Sequence, residues 1–302
     1  MSKIEVVEVG PRDGFQSVRC AAPIASELKL EVIDKLIAAG VKHMEYTSFV
    51  SPKAIPQLAD AQTVTEAVMK KYPGLDLFAL VPNLRGAQNA YELGLRKVCY
   101  VVSLSKSHNK ANINRTHEQS LEAYQEIRAA YPDLEVVVDL ATTFGCPFEG
   151  KYNDSQAVVN FLKDYADAGM TTCCLCDTIG IADPAQVKSV IGELKASYPN
   201  LQLQVHFHDT RGLGMVNTMA AIESGVTEVQ SALGGLGGCP FAPGASGNLS
   251  TEDMVWMLNE MGFKTGVSFS KVLEAAKFQA IHIPGNYSGH HIHIEQESPC
   301  KF

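Results

Sequence analysis

The chain has 302 residues, 46% of them hydrophobic and 19% charged, with a formal net charge of −8. That composition describes a globular protein with a sizeable core and excludes a disordered chain. An acidic balance without a basic tract argues against nucleic acid or an anionic membrane surface as the main partner. No apolar run reaches membrane-span length, and the N-terminus lacks a signal-peptide profile, so a cytoplasmic location is expected.

Residues 4–9 read as a strand, and 26–40 spaces its apolar residues helically before stopping at Gly40, which makes one strand–loop–helix unit. The order recurs as strand 43–48 with helix 58–71, strand 75–81 with helix 84–94, and strand 97–103 with helix 117–131. It continues as strand 134–142 with helix 154–169, strand 172–176 with helix 184–198, strand 202–207 with helix 213–224, and strand 227–233 with helix 250–262. Runs such as EVVVDL and KVCYVVSL suit strands buried on both faces of a parallel sheet. Eight such units close best into an α/β fold of the (β/α)8 TIM-barrel type. A doubly wound sheet is the alternative, but no G-x-G-x-x-G follows the first strand. The barrel is expected over 1–262, with 263–302 as a C-terminal extension packed on it and carrying one more helix.

Eight cysteines in a chain of this size and type are expected to be reduced. Cys174 and Cys176 form a Cys-x-Cys, but no second pair or nearby histidine completes a zinc spacing, so they read as small buried strand residues.

Active sites of such barrels lie at the C-terminal ends of the strands, which selects the polar residues there. In QVHFHDTRG, period-two alternation turns His206 and His208 to one face, a good grip for a divalent metal; two hydrogen-bonded structural histidines are the alternative. EVGPRDGFQ presents Arg12, Asp13 and Gln16 at the first strand mouth. Asp13 could supply an oxygen ligand and Arg12 could stabilise a developing oxyanion, against a helix cap and a surface ion pair. Glu45 could orient Arg12 or move a proton, and Asp177 has the equivalent place on strand six; a plain salt bridge is the alternative for each. The glycine-rich GGLGGCPFAPGASGN after strand eight reads as a lid. It carries Cys239, either a proton donor or acceptor or a packing residue, and Asn248, a neutral oxygen ligand. GHHIHIE reads as a solvated tail rather than a metal site.

Taken together, EVGPRDGFQ, EYTSFVSPK, GCPFEG, DTIG, VHFHDT and GGLGGCPFAPGASGN followed by TED resemble the 3-hydroxy-3-methylglutaryl-CoA (HMG-CoA) lyases from about residue 4 to 275. Wider relatives, metal-dependent aldolases and Claisen-type synthases, share the Arg-Asp and His-x-His elements. The resemblance implies that Asp13, His206, His208 and Asn248 bind Mg2+ or Mn2+. It implies that Arg12 steadies an enolate oxygen, that Cys239 takes part in proton transfer, and that Glu45 and Asp177 line the site. Arg12, Asp13, Glu45, Asp177, His206 and Cys239 are then the catalytic candidates. The implied activity is cleavage of a 3-hydroxyacyl-CoA, with HMG-CoA giving acetyl-CoA and acetoacetate as the leading candidate. A related lyase for another 3-hydroxyacyl-CoA or a free hydroxy acid, an aldolase, and a condensing synthase are the alternatives. A homodimer is implied by the same resemblance. Departures from the family pattern fall at Ser17, Val18, Asp139, Cys174 and Arg211, which makes Gln16, Asp139 and Arg211, with Arg12, the substrate-binding candidates. An ion pair between Asp139 and Arg211 is the plain alternative. Cys300 sits where family members can carry a redox-active cysteine, or in a disordered end.

Overall fold

The computed structural model describes residues 2–238 and 247–294. Eight parallel strands, β1 (Glu5–Glu8), β2 (His43–Ser48), β3 (Asp76–Leu80), β4 (Lys97–Ser103), β5 (Glu135–Ala141), β6 (Thr172–Asp177), β7 (Gln202–Phe207) and β8 (Glu228–Ser231), close into a barrel. Each strand lies between its neighbours in the chain, and β8 closes on β1 with Glu8 opposite Ser231. Helices follow the strands, so the expected (β/α)8 barrel is the fold.

The apolar strand runs are explained by two separate cores. On β5, Val136, Val138 and Leu140 join the large core under the surrounding helices. Val137, one residue out of phase, joins Val7, Phe78, Cys99 and Cys174 inside the barrel, all 1% exposed or less. Period-two alternation therefore puts Cys173 outside and Cys174 inside. The six described cysteines are free thiols, as expected; Cys239 and Cys300 lie outside the described residues.

A helix at Lys106–Ile113 and a hairpin of Gly145–Cys146 with Gly150–Lys151 add to the expected elements. The helix has no apolar stripe to announce it: its buried residues are His108 and Asn109, and Ser105 caps it by accepting from the His108 amide at 3.0 Å. The helix Phe269–His282 gives Val272, Ala275 and Ala276 to the same core as the barrel. Beyond it, His290 and His291 present Nδ1 to Asp253 at 3.0 and 2.5 Å, and the Gly289 amide donates to the Gly234 carbonyl at 3.0 Å. The solvated tail expected of GHHIHIE holds for His290, His293 and Ile294, which are exposed, but the buried Asp253 anchors the segment through His290 and His291. No described helix is long and apolar enough to cross a membrane.

At the opposite end of the barrel, His43 places Nε2 3.1 Å from Glu5 and Nδ1 2.9 Å from Asp76. A hydrogen bond to Asp76 on one ring nitrogen and the Glu5 carboxylate facing the other favour the imidazolium. The Asp76 hydrogen bond raises the His43 pKa, burial opposes it, and the charges of Asp76 and Glu5 add to the rise. A raised folded value gives stability that is fully present below the ordinary histidine pKa of about 6.5 and is lost as pH climbs through the folded value. His43→Gln is therefore expected to lower Tm at pH 5.5 and to matter much less at pH 8.5. Thermal scans of both proteins at the two pH values test this, and an equal gap at both would rule out the charge.

Candidate active site

β1 hands the chain to a π-helical turn, Gly10–Gly14, in which the Val9 carbonyl accepts from the Arg12 and Asp13 amides at 3.1 and 2.7 Å. Gly10 is dictated by space: a Cβ there would lie 2.6 Å from Glu8 Oε1, which accepts from the Gly10 amide at 2.7 Å. The same oxygen accepts from the Leu233 amide at 2.9 Å, and Oε2 from the Thr251 hydroxyl at 2.7 Å. Burial lifts the Glu8 pKa to about 7, with those three bonds opposing it. One buried carboxyl thus ties the Arg-Asp turn to the segment after β8.

The turn delivers Arg12 into a pocket of opposite charge. Its Nη2 donates to Glu45 Oε2 at 2.7 Å and its Nη1 to Asp13 Oδ1 at 2.6 Å. Nε lies 2.7 Å from Glu45 Oε1, close enough for an ion pair but not aligned for a hydrogen bond. The Cys99 thiol donates to Glu45 Oε1 at 2.8 Å. Burial works against the Arg12 charge, but Glu45 and Asp13 outweigh it and hold the pKa well above the usual arginine value. Glu45 therefore holds Arg12 in a buried ion pair, a geometry common to the orienting role and the plain salt bridge expected of it.

Asp13 is shared among three neighbours. Its Oδ1 also accepts from Gln16 Nε2 at 2.9 Å, and its Oδ2 from Asn248 Nδ2 at 2.8 Å. Burial pushes its pKa up, but Arg12, then His206, His208 and the Asn248 bond bring it down to about 2. Ligand atoms of Asp13, His206 and His208 lie within 4.8 Å of one another, with the two imidazole centroids 5.1 Å apart. Asn248 is held beside His208 by a backbone bridge, and the Asp209 amide donates to the Gly247 carbonyl at 2.9 Å. A Cβ on Gly247 would come within 2.7 Å of Gly237 and Gly238 backbone atoms, so the segments on either side of 239–246 touch here.

The donor atoms of these residues fit a cation. Asn248 Oδ1 and His208 Nδ1 are buried with no hydrogen-bond partner, an arrangement a bound cation would complete. His206 Nδ1 lies 3.0 Å from Gln230 Oε1, which can only accept, so the proton sits on Nδ1 and Nε2 keeps its lone pair. Burial, then His208, lower the His206 pKa to about 4, so the ring is neutral at physiological pH, as a ligand must be.

The remaining candidates divide. Asp177 is buried, with Oδ1 accepting from the Ile181 amide at 2.9 Å and Oδ2 from Ala182 at 3.0 Å; burial raises its pKa and these bonds oppose the rise. Arg211 Nη1 donates to the Ile179 carbonyl at 2.6 Å, on the loop that Asp177 organises. The alternative of an Asp139–Arg211 ion pair is therefore corrected: the guanidinium pairs with backbone oxygens, and Asp139 faces the barrel interior beside Glu45 and Cys99. Cys239 lies outside the described residues.

A family model described as HMGL-like matches residues 3–278. The chain belongs to the HMGL-like family. Hydroxymethylglutaryl-CoA lyase YngG of Bacillus subtilis (strain 168) is 42% identical over 278 residues, covering 91% of this chain and 92% of that protein. The mitochondrial hydroxymethylglutaryl-CoA lyase of Homo sapiens is 38% identical over 278 residues, covering 91% and 84%. A crystal structure of the B. subtilis HMG-CoA lyase superposes with a TM-score of 0.90 at 40% identity, covering 97% of each chain. An HMG-CoA lyase from A. baumannii in complex with coenzyme A and 3-methylmalate superposes with a TM-score of 0.90 at 36% identity, covering 98% and 96%.

Besides Glu8, two residues of this HMGL-like site escape a reading of the sequence. Gln230 fixes the His206 ring and in turn donates to Gln204 Oε1 at 3.2 Å. Glu252 accepts from the Gly234 amide at 2.9 Å, at the foot of the glycine-rich segment. Gln230 faces inward by strand alternation, a weak signal; nothing local marks the partner of Glu252.

Proposed function

We propose that this HMGL-like chain is a divalent-metal-dependent carbon–carbon lyase that cleaves HMG-CoA to acetyl-CoA and acetoacetate. The observation that carries the reading is the convergence of Asp13, His206, His208 and Asn248 beside a guanidinium clamped by Glu45 and Asp13. Asp13, His206, His208 and Asn248 would hold the cation. A mixed oxygen and imidazole set suits a six-coordinate ion, Mg2+ or Mn2+, better than tetrahedral zinc. When bound, such a cation supplies Lewis acidity that favours loss of the substrate's 3-hydroxyl proton and fixes the substrate's orientation.

The chain's own residues provide the rest. Breaking the C2–C3 bond turns the hydroxyl-bearing carbon into the new ketone, leaves the electron pair on the acetyl thioester as an enolate, and requires a proton at C2. Arg12 is the fixed positive charge for that enolate; two bonds to carboxylates hold it in place before the charge develops, so little reorganisation is needed. Gln230 keeps the His206 proton on Nδ1. Asp177 and Arg211 hold the loop after β6, which borders the site. Cys239 is the proposed proton carrier for C2, on the strength of its place in the family motif. The protein is proposed to act in the cytoplasm as a homodimer.

The test is acetoacetate release from HMG-CoA by purified protein with Mg2+ or Mn2+, and its loss on chelation. Cleavage of 2-oxo acids with every acyl-CoA left intact would replace the lyase reading by an aldolase one.

A further inference from the structure

The floor of the site holds a buried carboxyl that the mechanism above leaves unused. Asp139 is the inward residue of β5 next above Val137, with Val101 of β4 and Cys174 of β6 as its register neighbours. The layer containing Val7, Phe78, Cys99, Val137 and Cys174 is sealed, whereas Leu80, Val101 and Cys176 are half-buried, so the interior begins to open at the level of Asp139. Asp139 itself is 4% exposed, and its Oδ1 has no hydrogen-bond partner. One of its oxygens, the Cys99 sulfur and a Glu45 oxygen lie within 4.8 Å of one another.

A buried carboxyl oxygen is costly to leave unpaired, and a built site that leaves one has a partner still to come. We propose that Asp139 is a specificity-determining residue of this site, whose unpaired oxygen is completed by a hydrogen bond to an uncharged oxygen on the acyl part of the bound thioester. The thioester class rests on the lyase reading; the unpaired group does not. The charges around Asp139 decide what it meets. Arg12 is already matched by Glu45 and Asp13, so an ionised Asp139 would be a third carboxylate on one guanidinium. Burial, then the Glu45 charge, raise the Asp139 pKa to about 7, with Arg12 and the nearby Cys99 thiol opposing and Asp13 adding to the rise; the thiols of Cys173, Cys174 and Cys176 also lie among the ionisable surroundings. Below that pKa the neutral acid has an O–H to donate, and the thioester carbonyl can accept it. A terminal carboxylate of the acyl chain would join Glu45 and Asp13 as a further anion and is directed elsewhere.

Binding of acetyl-CoA and of CoA, measured by calorimetry with Mg2+ present, tests this without turnover. Wild type is expected to prefer acetyl-CoA over CoA, Asp139→Leu to lose about tenfold of that preference, and Asp139→Asn, which keeps a donor of the same size, to retain it. On HMG-CoA, kcat/KM should follow the same order. Asp139→Ala serves in place of the leucine variant if that one does not fold, with the same loss expected. The inference is overturned if wild type does not distinguish the two ligands, if Asp139→Leu or Asp139→Ala keeps the preference, or if Asp139→Asn loses as much as they do. Wild type that leaves HMG-CoA intact yet shows the Asp139-dependent preference would sink the lyase reading and support this one.

Discussion

Arg12→Gln is expected to lower kcat on HMG-CoA by about 10³-fold while KM changes by about threefold or less. The enolate charge exists only after the C2–C3 bond has begun to break, so a cation aimed at it acts on the transition state far more than on the bound substrate. A loss of 10³ corresponds to about 4 kcal/mol of barrier, the upper range for one preorganised donor. Stability competes with this effect. Glu45 is 0% exposed and takes two of the guanidinium nitrogens, and removing one partner of a buried pair costs about 3–5 kcal/mol. Inactivity of the single variant could therefore be mere unfolding. Arg12→Gln with Glu45→Gln leaves no buried carboxylate without its cation at Glu45 and should recover most of the Tm, yet kcat should stay as low as in the single variant. Calorimetric Tm and kcat measured on all three proteins separate the two effects; a double variant that regains turnover with stability would reduce Arg12 to a structural ion.

The barrel was legible because β1, β3, β4, β5 and β6 carry apolar residues toward both cores, leaving runs such as Val136–Val138 that only a doubly covered strand needs. His206 and His208 were legible for a related reason: a spacing of two on a strand sets direction without any knowledge of neighbours. What escaped depends on partners far along the chain. Glu8 bonds Leu233 and Thr251, 225 and 243 residues away, and nothing in IEVVEV distinguishes it from Glu5, which ends up at the opposite rim. Gln230 matters only because β8 brings it level with the His206 ring. The Asp139–Arg211 pairing failed for the same reason. Opposite charge suggested contact, whereas the fold gave Arg211 nearby carbonyls and gave Asp139 a place beside Glu45.

His208→Ala is expected to abolish metal-dependent turnover, with Mn2+ affinity falling by at least about 100-fold, beyond what loss of an outer-sphere partner costs. Gln230→Leu is the matched control for such an outer-sphere loss. It frees the His206 ring without removing a ligand, so a loss of about 10–100-fold in affinity should be recovered by raising Mn2+, which cannot rescue His208→Ala. Cys239→Ala should cut turnover with Mn2+ binding largely intact. The decisive readout is stability of the metal-free protein. A structural histidine satisfies its hydrogen bonds within the fold, so its loss lowers Tm. His208 leaves Nδ1 buried and unpaired, so alanine removes a group that was already poorly satisfied. Metal-free His208→Ala should therefore melt within about 2 °C of metal-free wild type, while the stabilisation that Mn2+ gives wild type is absent from the variant. A large drop in the metal-free Tm, with Mn2+ binding unchanged, would assign His208 to the fold and remove it from the cation site.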